Sequence, residues 1–133
     1  MNDRFKFRAK RLDNNKFVYG YLRLIYIDNK EHCRIFCPDD VMSYDCYTKT
    51  IGQCTGLKDK NGKLIYEGDI CIPAKDMADK AGEVYRTESG AYFIKGKMKN
   101  GMEYDFGIYW HHFMYEVIGN IHENPELLEK SDD

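Results

Sequence analysis

The chain has 133 residues, 43% of them hydrophobic and 14% aromatic, which suits one folded domain and excludes an intrinsically disordered chain. A formal net charge of −2 gives no whole-molecule field that selects nucleic acid or repels it. No apolar run approaches the roughly 20 residues of a membrane span, and the charged N-terminus has no apolar segment behind it, so a cytosolic protein is expected. Five cysteines, Cys33, Cys37, Cys46, Cys54 and Cys71, contain no CxxC spacing and read as free buried thiols in a reducing compartment.

Arg4 to Ala9 alternates, with Phe5, Phe7 and Ala9 on one face and Arg4, Lys6 and Arg8 on the other. That pattern predicts a half-buried strand. Asp13-Asn14-Asn15 is a turn. Phe17 to Ile27 reads as a long strand, Asp28-Asn29-Lys30 as a turn and His32 to Cys37 as the returning strand, stopped by Pro38. Asp39 to Lys49 fits a helical turn or an irregular loop equally well. Thr50 to Thr55 resumes as a strand, and Asn61-Gly62, a type I′ turn signal, separates it from Leu64 to Ile72, which is expected to bend at Gly68. Pro73 to Gly82 reads as a loop. A meander follows: Glu83 to Thr87, a turn at Glu88-Ser89-Gly90, Ala91 to Met98, a turn at Asn100-Gly101, then Met102 to Trp110. Tyr115 to Ile121 is a last strand, and Pro125 to Lys130 a short helix with Asn124 as its N-cap. About nine short strands and little helix predict a mainly-β sandwich or small barrel within a single domain.

The stretch Thr55 to Ile70 gathers Asp59, Glu67 and Asp69. Asp59-Lys60-Asn61-Gly62 begins like a calcium loop, but Lys63 and Leu64 stand where the next ligand and the glycine belong. Glu67 and Asp69 share a face until Gly68 bends the strand between them. The segment reads as scaffold. His32, Cys33 and Cys37 offer one loose ligand set where structural zinc needs two close pairs, and adjacent His111 and His112 point to opposite faces of a strand. No metal or cofactor is expected. No nucleophile elbow, catalytic cysteine signature or glycine-rich phosphate loop is present, so no catalytic residue is assigned and a non-enzyme is expected.

Two surfaces remain. The aromatic segment supplies Tyr104, Tyr109, Trp110 and Tyr115 as candidates for binding a protein partner, because tyrosine and tryptophan anchor interfaces. They serve oligomer contacts or the core equally well, so a homo-oligomer is compatible with them. Arg4, Lys6, Arg8 and Lys10 are candidates for tracking a nucleic-acid backbone, the alternative reading. Charges on an edge strand also prevent edge-to-edge pairing, which is the simpler account of them.

The string Gly52 to Lys63, GQCTGLKDKNGK, followed by Ile65-Tyr66-Glu67-Gly68-Asp69-Ile70, resembles the signature of the YopX family of phage and prophage proteins. Phe5-Lys6-Phe7-Arg8-Ala9, Glu116 to Ile121 and Glu123 to Leu128 are similar to that family's ends. Gly56, Asp59, Asn61, Gly62, Tyr66, Gly68 and Asp69 are the motif residues. The resemblance implies N-terminal strands over 1–55, an SH3-like β-roll over 56–133 and a phage-encoded protein in a bacterial host's cytoplasm. It implies no activity and assigns no functional residue. Together the observations point to an accessory module that binds a host or phage protein and touches no membrane.

Overall fold

The computed structural model describes residues 3–73, 81–97 and 100–128. The expected loop over 73–82 therefore lies largely outside the described residues, as do Met98 and the last residues of the expected C-terminal helix. The chain is mainly β, with eleven strands among the described residues: β1 (Phe7–Lys10), β2 (Phe17–Ile27), β3 (Lys30–Cys37), β4 (Met42–Cys46), β5 (Gly52–Lys58), β6 (Leu64–Tyr66), β7 (Asp69–Ile72), β8 (Gly82–Arg86), β9 (Tyr92–Lys97), β10 (Glu103–Gly107) and β11 (Glu116–Asn120). They form antiparallel sheets and no closed barrel. Two compact units divide the chain, Met1–Cys54 and Thr55–Asp133, with the boundary inside β5.

In the first unit the strand order is β4-β3-β2-β1-β5. β2 and β3 pair from Ile27↔Lys30 to Tyr21↔Phe36. Only Asp28 and Asn29 lie between them, at φ of 52° and 64°, so this is the two-residue turn with both central residues left-handed. Ala9, Cys33, Ile35 and Cys46 form the core, with Val18 and Leu22 packed on it. The segment left open by the sequence holds β4. Its inward residues are Tyr44 and Cys46, and the outer ones are polar, which is why its alternation is faint.

The basic strand differs from expectation. Asp3–Phe5 forms a 3₁₀ turn, closed by Lys6 N–H to the Asp3 carbonyl, and the strand begins only at Phe7. β1 then lies between β2 and β5 and is covered on both faces, so Arg8 and Lys10 are only 4% and 8% exposed. The Arg8 guanidinium sits 4.8 Å and the Lys10 ammonium 5.4 Å from the centre of the Phe17 ring. Alternation reports which side chains share a face. It does not report what covers that face.

Burial pushes the Cys33 thiol up, and it raises Cys46 to about 11. Both thiols donate within the hairpin, Cys33 to the Cys46 carbonyl and Cys46 to that of Tyr44, each at 3.3 Å. A folded-state pKa above the unfolded one favours the neutral thiol. This contribution to stability is therefore whole below the unfolded value, 9.0, and is lost as pH rises toward about 11. Thermal melts between these limits should show a falling transition, and Cys46→Ser should flatten that slope. A slope unchanged in the variant would contradict the assignment.

In the second unit the order is β10-β9-β8-β7-β11, with β6 returning along the latter half of β5. β11 runs back antiparallel to β7 with a bulge at Ile118. Ile65, Val84, Tyr92, Ile94 and Ile108 fill the core. The strand expected from Leu64 to Ile72 breaks at Gly68, φ 93°, into β6 and β7. The strand expected to reach Trp110 ends instead at Gly107. Two 3₁₀ turns follow, Ile108–Trp110 and His112–Met114, and the first plugs Ile108 into the core. The expected C-terminal helix is replaced, within the described residues, by a 3₁₀ turn at Pro125–Leu128. The carboxamide oxygen of Asn124 is turned back to accept from the Asn120 N–H at 3.2 Å, so it does not cap forward.

Candidate functional site

The stretch rich in carboxylates is built as a turn. The Asp59 N–H donates to the Lys63 carbonyl at 2.8 Å and the Gly62 N–H to the Asp59 carbonyl at 3.0 Å. Of the Asn61-Gly62 pair, Gly62 alone has a positive φ, 82°, so the expected two-residue type I′ turn is instead a three-residue loop, Lys60 to Gly62, closed by a left-handed glycine. Oδ1 of Asp59 accepts from Asn61 and Lys63 N–H, both at 2.9 Å, and Oδ2 accepts from Val117 N–H at 3.0 Å. Both oxygens of this 5%-exposed carboxylate are thus directed at backbone donors. Thr87-Glu88-Ser89-Gly90-Ala91 repeats the geometry with the Thr87 hydroxyl in place of the carboxylate. Asp69 Oδ2 accepts from Tyr66 N–H at 2.7 Å across the Gly68 bend. Asp59 and Asp69 thus organise backbone.

The candidate acid–base residues are dispersed. The two histidines lie in the 3₁₀ segment. His112 Nδ1 is 2.7 Å from the Lys58 carbonyl, while His111 borders an apolar groove with no carboxylate among its described lining residues. Both Asp105 oxygens accept from the Tyr85 hydroxyl, at 2.8 and 2.7 Å, and this holds the phenol proton above its ordinary pKa. Among the described residues no group of three His, Cys, Asp or Glu side chains has metal-binding geometry.

The four aromatic candidates separate. Tyr104 lies over the cross-strand pair Gly82↔Gly96, where a Cβ would meet its hydroxyl at 2.6 and 2.7 Å. The ring fills the space two missing side chains leave, and burial raises its pKa. Tyr115 is 8% exposed and belongs to the core. Tyr109 is exposed, and its hydroxyl accepts from Tyr92 N–H at 2.8 Å. The side chain of Trp110 lies outside the described residues. Of the four basic candidates, Arg8 and Lys10 are buried, Lys6 pairs with Asp3 at 3.3 Å, and Arg4 is exposed.

Sequence reasoning missed Phe106 and Met114. They are 50% and 54% exposed, and with Pro73, His111 and Tyr115 they line an open groove of about 320 Å³. Phe113 and Met102 are exposed in the same segment. Several large apolar side chains exposed within a dozen residues exceed the scattered exposure normal for a surface. Strand parity alone could not find them, since Tyr104 and Phe106 share a face. The signal lay in the glycines, which make room for Tyr104 and none for Phe106.

Comparison with known proteins settles the lineage. The model of the YopX protein family matches residues 6–129. The chain belongs to the YopX family. The crystal structure of protein EF1440 from Enterococcus faecalis is similar: 26% identical, covering 92% of this chain and 96% of that one, at a TM-score of 0.52. No curated protein matches. The YopX-like motif residues of the central stretch are the turn- and bend-makers described above. Gly56, Gly62 and Gly68 all take positive φ, Asp59 and Asp69 accept from backbone, Asn61 donates its backbone N–H to Asp59, and Tyr66 is buried. This YopX chain has no helix among its described residues that is long and apolar enough to cross a membrane.

Proposed function

We propose that this YopX-family protein is a phage-encoded, non-enzymatic accessory module that works in a bacterial host's cytoplasm by binding a host or phage protein. The observation that carries the reading is the groove of Pro73, Phe106, His111, Met114 and Tyr115, with Phe106 and Met114 half-exposed at its lip. Apolar anchors of this size gain most when a partner excludes water from them. We further read the second unit as an SH3-like roll, supported by a four-strand meander whose fifth strand returns beside the first. Burial of Arg8 and Lys10 beneath the Phe17 contacts gives the nucleic-acid alternative no comparable support.

The test is capture from host lysate by the wild type and by the doubly substituted Phe106→Ser, Met114→Ser protein. A specific partner should be recovered by the wild type and reduced about tenfold by the variant, while circular dichroism and melting stay near wild type. The same proteins captured equally by both would overturn the reading.

A further inference from the structure

The ends of the sheets are finished in different ways. The open side of β4 is bridged by Arg11 opposite Cys46, and Asp45 accepts the Leu12 N–H at 2.9 Å. At β11, Asp59 takes the Val117 N–H and the Tyr115 carbonyl accepts from Lys60. At β6, Asp69 takes the Tyr66 N–H. Among the described residues β10 is the terminal strand of its sheet, and Glu103 and Asp105 on one of its faces and Phe106 on the other are exposed. An exposed strand margin is a template for pairing with another chain.

The side chains on β8, β9 and β10 specify which chain. On the solvent face charges alternate in sign across the strands. Glu83 stands opposite Lys95, which stands opposite Asp105; Lys97 stands opposite Glu103. Opposite charges directly across a pair stabilise it, and like charges oppose it. The alternation stops at the acidic row Glu103 and Asp105, so the next strand in the series would carry basic residues at these positions. A second copy of β10 would face one acidic row with another, which disfavours self-pairing. On the other face Phe106, stacked on Tyr104 at 5.7 Å between centres, offers an apolar contact for the intervening residues. An open groove of about 410 Å³ runs along β9 and β10, lined by Lys97, Glu103, Tyr104 and Asp105 among others.

We infer that β10 receives an extended partner segment in which basic and apolar residues alternate, added as a sixth strand to the second unit's sheet. The inference rests on the protein-binding reading and names the chemistry of the partner at that site. Main-chain pairing supplies affinity. Lysine or arginine opposite Glu103 and Asp105 supplies register, and the apolar positions meet Phe106 and the groove beyond it.

The probe is a fluorescein-labelled peptide of about eight residues alternating valine and lysine, read by anisotropy with the full chain. Binding should exceed that of the valine–glutamate counterpart by about tenfold, and that of a block-ordered valine–lysine peptide of equal composition by a similar factor. Glu103→Lys should narrow the preference for the basic peptide, and Glu103→Lys with Asp105→Lys should invert it; a gain of acidic-peptide binding is not an outcome that misfolding produces. Amide exchange should slow in Glu103–Gly107 when the basic peptide binds. Failure of the basic peptide to bind, equal binding of the block-ordered peptide, or slowed exchange elsewhere would overturn the inference. A lysate partner that depends on Phe106 and Met114, alongside a peptide that does not bind, sinks this inference and leaves protein binding standing.

Discussion

Asp59→Ala should cost about 3–4 kcal/mol of stability, because three backbone N–H groups lose their acceptor at once. The share is unequal. Asn61 and Lys63 are exposed, and water replaces the carboxylate there at small cost. Val117 is half-buried in β11, paired with Cys71 on one side and held by Asp59 on the other. An orphaned buried donor costs about 1–3 kcal/mol, and the loop that orders Lys60 beneath the Tyr115 carbonyl loosens with it. Against a total stability of about 5–15 kcal/mol, the loss is large enough to read in a urea titration. Asp59→Asn should cost less, since its amide oxygen still accepts on one side. Hydrogen exchange at Val117 should accelerate more than at Ile94 in the central strand. A loss below about 1 kcal/mol would show that the carboxylate is not what fastens β11 to the turn.

Most of the strand framework was legible because its cause is local. Two runs rich in apolar and aromatic residues flank Asp28-Asn29, and turn residues between them leave little choice of structure. Gly68 predicted its own bend. Glu88-Ser89-Gly90 and Asn100-Gly101 spaced the meander. β4 was not legible because only Tyr44 and Cys46 face the core, and two inward residues do not make a pattern. The length of β10 was misread for a different reason: Tyr104, Phe106 and Ile108 keep strand parity through a point where the chain has already turned. The turn beyond Gly107 makes a distant contact, Tyr109 hydroxyl with Tyr92 N–H, seventeen residues away in sequence.

The candidate site suffered from the same limit. Composition identified an aromatic segment, and the segment does carry exposed apolar surface. Which aromatics belong to the surface depends on cross-strand neighbours. Tyr104 is committed to the Gly82–Gly96 pair and Tyr115 to the core, so the groove lip passes to Phe106 and Met114. The basic residues fail to form a surface for a related reason. β1 lies inside a sheet, and its Arg8 guanidinium and Lys10 ammonium lie over the Phe17 ring.

Gly20→Ala should be the most damaging small substitution in the first unit. A Cβ built at Gly20 would lie 1.9 Å from the Phe36 carbonyl oxygen and 2.8 Å from its carbonyl carbon. Neither atom is a side-chain tip that can rotate away, so β3 itself must shift. β3 is tied along its length to β2 and on its other side to β4, and it carries the buried Cys33 and Ile35. Displacing it disturbs the whole core of that unit. The expected loss is about 3 kcal/mol, at the upper end for overpacking, because backbone and not side chain is overlapped. Gly62→Ala is the control. Nothing lies within 4 Å of its Cβ position, and only the left-handed φ of 82° is strained, so about 1 kcal/mol is expected. Urea midpoints of the two variants compare a steric cost with a conformational one. If Gly20→Ala proved the milder of the two, the close approach of β2 to β3 at Gly20 would not be what excludes a side chain there. A glycine inside a long apolar strand marks such an approach in the sequence itself, without saying which neighbour makes it.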